Sequence, residues 1–238
     1  MNYIDYLKEL KRKLIPAFVF LIISIIIFLL FSGDILNYIL VYGKTIANIS
    51  YVYLYPQEVF IQQLSIAFLL AIITTIPIFV CCFLWFIADG LYKKELIIMI
   101  ISCISMIALF GCGIIFAIKI LLPFCLKYFM EFNNNFDISG CVSVEKYLSL
   151  FKSIILPLGF IFEMPIISVV FTFLGLLKSS FLKKGRRVVI ILALIIGAII
   201  TPPDVVSQIM VTIPMVLLYE ICIILNILIE KLRKKGIK

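Results

Sequence analysis

The chain contains no histidine. That absence excludes a Ser-His-Asp triad, a Cys-His dyad, an H-E-x-x-H zinc site and a histidine proton shuttle. Charge is scarce as well: Asp, Glu, Lys and Arg make up 14% of the 238 residues, against about 25% in an ordinary soluble domain. No C-x-x-C occurs, so neither a metal site nor a thioredoxin-like motif has support. What is present is apolar: 64% of the residues, with a mean hydropathy of +1.24. A water-soluble core of this length could not bury so much apolar surface. A soluble enzyme and a disordered chain are both excluded, and the composition is that of a polytopic membrane protein.

The seven cysteines do not form a disulfide framework. Cys81, Cys82, Cys103, Cys112 and Cys222 lie within apolar runs, where cysteine acts as a small hydrophobe. Cys125 and Cys141 flank a segment expected outside the cell and are the one conceivable pair.

A helix needs about 20 apolar residues to cross about 30 Å of hydrocarbon. Six runs come into question: Ile15–Phe31, Leu64–Leu84, Leu96–Ile118, Ser153–Leu177, Val188–Ile200 and Ile209–Ile229. The fifth reaches only about 20 Å at 1.5 Å per residue, so a re-entrant segment is open there. Charge sets the orientation. Lys8, Lys11, Arg12 and Lys13 precede the first run, Lys93 and Lys94 follow the second, Lys178, Lys183, Lys184, Arg186 and Arg187 follow the fourth, and Lys231, Arg233, Lys234, Lys235 and Lys238 follow the last. The alternate connections hold only Lys44, Lys119, Lys127, Lys146 and Lys152. The positive-inside rule then predicts both termini in the cytoplasm and an even number of crossings, which six satisfies. The last two runs are expected to form a hairpin, as two spans or as one insertion from the cytoplasmic side.

Residues 32–63 and about 124–152 are expected as long external connections. Gly33 and Asp34 are expected to stop the first helix, and Asn133–Asn135 with Gly140 to break the second connection. Ile35–Tyr42 is amphipathic enough to lie on the membrane surface. Pro16 is expected in the first turn of its helix. Pro77, Pro157, Pro165 and Pro214 fall inside runs, where each removes a backbone donor and favours a kink. Four kinks would curve the bundle and open a concavity. Residues 1–238 are expected to form one membrane domain.

The ionisable residues carry the functional information, because each is costly inside a membrane. Glu163 and Glu220 sit within the fourth and sixth runs. Each is either a protonated or hydrogen-bonded group that packs helices, or a carboxylate facing a wet cavity. Glu9 and Glu95 lie at the basic cytoplasmic rim. Glu9 fits an i,i+4 pair with Lys13, and Glu95 fits the positive end of the third helix. Either could equally receive a cationic ligand that the surrounding lysines would otherwise repel. Thr201-Pro202-Pro203-Asp204 with Ser207-Gln208 forms a rigid polar turn. A proton-coupled solute transporter using Glu163 and Glu220 is the rival reading, against which stands the lack of an internal repeat.

Five blocks together resemble the TatC family, the core subunit of the twin-arginine protein translocase. They are Tyr6-Leu7-Lys8-Glu9-Leu10-Lys11-Arg12-Lys13, then Trp85-Phe86-Ile87-Ala88-Asp89-Gly90-Leu91-Tyr92-Lys93-Lys94-Glu95, then Tyr147-Leu148-Ser149, Phe162-Glu163-Met164-Pro165 and Thr201-Pro202-Pro203-Asp204 with Ser207-Gln208. The resemblance implies an all-α bundle of six kinked transmembrane helices with a concave, glove-like face, the fifth spanning a locally thinned membrane. It implies a receptor, not an enzyme, with no cofactor. In it Glu9 and Glu95 receive the paired arginines of a signal peptide, and Phe86, Leu91 and Tyr92 line the same site. Glu163 matches the polar group of the concave face. TatA- and TatB-type single-span partners dock near Thr201, Pro202, Pro203, Asp204 and Gln208, and transport is driven by the proton motive force. A larger complex with several copies of the chain, in a bacterial cytoplasmic membrane or an organellar one, is implied as well. Tyr6 stands where the family motif has histidine, Lys11 and Lys13 where it has arginine, and Asp89 where it has proline. Lysine keeps the charge of arginine without its planar fork.

Overall fold

The structure, a computed structural model, describes residues 3–88, 93–134, 141–200 and 205–234. These form α1 (Tyr3–Leu30), α2 (Ser32–Ala47), β1 (Ser50–Val52), α3 (Glu58–Ala88), α4 (Lys93–Phe116), a π-turn (Ala117–Leu121), α5 (Leu122–Asn134), β2 (Cys141–Ser143), α6 (Val144–Phe173), α7 (Ser179–Ile200) and α8 (Val205–Lys234). Five helical stretches among the described residues are long and apolar enough to cross a membrane: Lys11–Leu30, Glu58–Phe86, Met99–Phe132, Val144–Phe173 and Val205–Lys231. α7, whose apolar part is Val188–Ile200, is not among them.

Several expected boundaries move. α1 begins near the N-terminus, so Pro16 is inside it and not in its first turn. The basic residues before Pro16 are good helix formers, and the proline removes only the bond to the Arg12 carbonyl. Gly33 and Asp34 do not stop α1; they lie in the first turn of α2. The break falls at Phe31, and Ser32 turns the corner by donating to the Leu29 carbonyl at 2.7 Å while accepting from Gln63 of α3 at 2.8 Å. The connection from residue 124 to 152 is not a loop either. α5 continues the helix through Asn134, and α6 starts at Val144 instead of Ser153. Residues 135–140, with Gly140, lie outside the described part. The π-turn that joins α4 to α5 ends just before Pro123. Proline has no N–H for the carbonyl four residues back and clashes with it, and one widened turn relieves both problems.

The chain divides into two compact units. The first holds residues 1–107 and 122–152. In it α1 packs along α3, with Phe18 edge-on to Phe79 at 6.3 Å between centroids. α2 buries Ser32, Leu36, Ile39 and Gly43, one helical face. It ends on Asn48, whose left-handed backbone (φ 49°) lets its N–H return to the Lys44 carbonyl. β1 and β2 pair in parallel, Tyr51 opposite Val142. Tyr147 then caps α2 from the side, its hydroxyl donating to the Ile39 carbonyl at 2.9 Å. Gly43 has to be glycine, because an added Cβ would lie 2.8 Å from Tyr147 and closer still to the Tyr51 hydroxyl.

The second unit holds residues 108–121 and 153–238. α4 and α6 interlock by two reciprocal contacts. Gly113 leaves room for Phe162, and Gly159 leaves room for Phe110, with 2.8 Å to any added Cβ in both cases. α6 closes on Gly175 (φ 82°) with Leu176 N–H on the Phe171 carbonyl and Gly175 N–H on the Thr172 carbonyl, a Schellman stop. α7 and α8 form the expected hairpin, and Gly197 lets them approach until a Cβ would sit 3.0 Å from the Thr212 hydroxyl. Beside Pro157, an apolar concavity of about 480 Å³ is lined by Phe160, Met164, Ile167 and Ile196.

Candidate functional site

The N-terminal block and the start of the second block meet in the first unit, at Lys13 and Trp85. α1 carries Lys8, Lys11 and Arg12 exposed, with Glu9 and Lys13 half-buried among them. The Lys13 ammonium donates to the Trp85 carbonyl at 3.3 Å, which ties α1 to the last turn of α3. Trp85 is half-exposed and Phe86 half-buried at that end. α3 can run this far because its apolar composition extends unbroken to Ala88. Glu95 falls in the first turn of α4, and its side chain lies outside the described part; Leu91 and Tyr92 lie outside it entirely. Of the five residues expected to receive a signal peptide, Glu9 and Phe86 are therefore brought to one end of the α1–α3 pair.

Glu163 is 1% exposed in the second unit, and neither carboxylate oxygen has a hydrogen-bond partner among the described residues. It lies two residues before Pro165 in α6, where the helix cannot close a bond to the Ile161 carbonyl.

Glu220 behaves otherwise. It pairs with Arg186 of α7 at 2.7 Å, both side chains being 40–49% exposed. The antiparallel hairpin brings the basic start of α7 alongside, so this carboxylate has a fixed cationic partner and is not enclosed. Tyr219 next to it donates to the Leu182 carbonyl at 2.7 Å.

Thr201, Pro202, Pro203 and Asp204 lie outside the described residues. Gln208 is half-buried and donates from Nε2 to the Leu194 carbonyl of α7 at 2.9 Å. Thr212 donates to the Gln208 carbonyl at 2.8 Å, and Ser207 is fully buried. Cys125 is buried and Cys141 is exposed and bonded to Ser50; both are free thiols, so the conceivable pair does not form. No group of three or more His, Cys, Asp or Glu able to hold a metal occurs among the described residues.

Three polar centres escaped the reading of the sequence. Glu58 accepts from the Leu54 N–H and the Glu145 N–H at 2.7 Å and from the Ser143 hydroxyl at 2.9 Å, joining the start of α3 to the segment before it and to the β2–α6 junction. Lys152 donates to Gln62 at 2.9 Å and Ser65 at 2.8 Å. Asn226, fully buried in α8, bonds Ser168 at 2.7 Å and accepts from Thr172 of α6. Only Glu58 left a signal, an acid in the first turn before an apolar helix.

A family model, Sec-independent protein translocase protein (TatC), matches residues 5–214. The chain belongs to the TatC family. The Sec-independent protein translocase protein TatC of Rickettsia prowazekii (strain Madrid E) is 32% identical over 246 aligned positions, covering 100% of this chain and 97% of that protein. TatCy of Bacillus subtilis (strain 168) is 30% identical, covering 95% of this chain and 89% of its own length. A crystal structure of the twin-arginine translocase receptor TatC superposes with a TM-score of 0.84 at 30% identity, over 94% of this chain and 99% of that one. This TatC-family chain is thus a multi-pass membrane protein and a component of a Sec-independent protein translocase.

Proposed function

We propose that this chain is the signal-peptide receptor of a twin-arginine translocase. It crosses the cytoplasmic membrane of a bacterium six times as a concave, glove-like bundle with both termini inside, α7 being the short fifth span. Glu9 and Glu95 accept the guanidinium groups of the paired arginines, each offering donors in a fixed fork that a carboxylate can meet bidentately. Phe86, Leu91 and Tyr92 contact the apolar flank of the peptide. TatA- and TatB-type helices dock at the outer end of α7 and α8, near Thr201–Asp204 and Gln208, in a complex holding more than one copy of the chain. The proton motive force drives transport, with no catalytic group involved.

The observation that carries this reading is the Lys13–Trp85 bond, which joins the helix bearing Glu9 to the end of the helix that leads to Glu95. Two carboxylates borne by these helices would suit two adjacent arginines. The Glu220–Arg186 pair speaks against the transporter alternative, because one of its two proposed proton carriers already holds a permanent cation. Cross-linking a signal peptide to the chain in native membranes tests the reading. A probe beside the arginine pair should capture α1 and the α3–α4 connection, and replacing both arginines by lysine should abolish capture. Capture elsewhere on the chain, or no dependence on arginine, would refute it.

A further inference from the structure

The cytoplasmic half of the α7–α8 hairpin carries positive charge and exposed apolar side chains at the same level. Two contacts bracket that level: the Ser179 N–H on Glu230 at 3.3 Å and the Arg186–Glu220 pair at 2.7 Å. Between them α7 exposes Lys183 and Lys184, with Arg187 just beyond. Over the same stretch α8 exposes Ile221, Ile224 and Leu228, each about half accessible and spaced three to four residues apart on one face. None of the described acids of this unit bonds Lys183, Lys184 or Arg187. Among its described residues they are Glu163, which is buried, Glu220, held by Arg186, and Glu230, held by Ser179.

The mismatch between the two helices produces this arrangement. The apolar run of α7 is only Val188–Ile200, whereas α8 is apolar from Ile209 to Ile229. Side by side, the basic turns of α7 stand where its neighbour is still built for hydrocarbon. A free anion would satisfy the lysines and leave the apolar stripe wet. A zwitterionic headgroup would bring its own ammonium against them. A molecule with a net negative head and an apolar tail satisfies both.

We propose that this end of the hairpin is a binding site for one anionic phospholipid, its phosphate held by Lys183, Lys184 and Arg187 and its acyl chains laid along Ile221, Ile224 and Leu228. The orientation proposed above makes it a lipid of the inner leaflet. The lipid contact itself does not depend on signal-peptide recognition.

Native mass spectrometry of the full chain in detergent, titrated with phosphatidylglycerol or with phosphatidylcholine of the same acyl chains, tests the site without any substitution. Phosphatidylglycerol should be retained in preference, and equal retention would overturn the proposal. Lys183→Gln, Lys184→Gln and Arg187→Gln should each weaken phosphatidylglycerol retention about fivefold and leave phosphatidylcholine unchanged. Lys8→Gln with Lys11→Gln should leave retention as it is; a loss equal to that of the α7 variants would make the effect general charge attraction. Inorganic phosphate should not compete at concentrations that leave the fold intact, and full displacement by it would reduce the site to a simple anion site. Signal-peptide cross-linking measured on the same samples separates failure of this site from failure of the receptor reading.

Discussion

The ammonium of Lys13 lies 3.3 Å from the carbonyl oxygen of Trp85, across 72 residues of sequence. It brings the basic N-terminal helix against the end of α3, so that Glu9 and Phe86 share one end of the α1–α3 pair.

Glu9→Ala and Glu95→Ala should each weaken signal-peptide binding while the protein remains inserted. Loss of one charge-assisted pair corresponds to about 1.5–3 kcal/mol. Binding of a synthetic twin-arginine peptide to purified protein measures it. A peptide with two lysines in place of the arginines should show little further loss in either variant.

Glu58→Ala should loosen the layer that, in the proposed orientation, faces outward. It removes the acceptor of the Leu54 and Glu145 N–H groups and of the Ser143 hydroxyl. Proteolysis from the outer side should then cut near residues 53–57 or 141–145 faster than in the unsubstituted protein. Unchanged cleavage would show that water replaces the carboxylate freely.

Gly43→Ala should destabilise the first unit by about 1–3 kcal/mol, since the methyl group must displace the rings of Tyr51 and Tyr147. Adding Tyr51→Phe removes the nearest atom and should restore part of the loss. Thermal melts followed by circular dichroism compare the two variants.

Tyr51 also makes stability depend on pH at the alkaline end. Burial pushes its phenol up from 10.0 to about 12. The folded chain therefore holds this proton over a range in which the unfolded chain has released it, and stability falls as pH rises from 10 towards 12. Tyr51→Phe should flatten that fall in a chemical-denaturation series across the same range.

Gln208→Leu should weaken the hairpin and partner docking together without abolishing either, because its bond to Leu194 joins α7 to α8 and such bonds average about 0.6 kcal/mol. Four leucines inserted before Thr201 should do more, by removing the mismatch that favours association of a partner helix. Disulfide mapping from a cysteine placed at Ile199 to the partner checks both. Wild-type cross-linking in the lengthened protein would show that docking rests on side-chain contacts alone.

The sequence by itself determined the solvent, the number and order of apolar runs, and the family. Hydrocarbon imposes a minimum length on any crossing, and alternating lysine clusters impose a direction, so both can be counted along the chain. The short apolar run of α7 and the hairpin with α8 were legible for the same reason. Helix ends were less so: Pro16 and Gly33 are tolerated inside helices because packing and good helix formers on either side outweigh a local penalty, and the stretch to Asn134 stays helical across a π-turn. Only the tertiary structure decided what each polar side chain does. Glu58 and Ser143, Lys152 and Gln62, Asn226 and Thr172, and Arg186 and Glu220 are each far apart in sequence. Glu163 and Glu220 read alike as lone acids in apolar runs, yet one is enclosed with neither oxygen bonded among the described residues and the other is half-exposed on an arginine. The distinction lies in which helix lies alongside, and a buried polar group is stabilised or left unsatisfied only by the neighbour that folding brings to it.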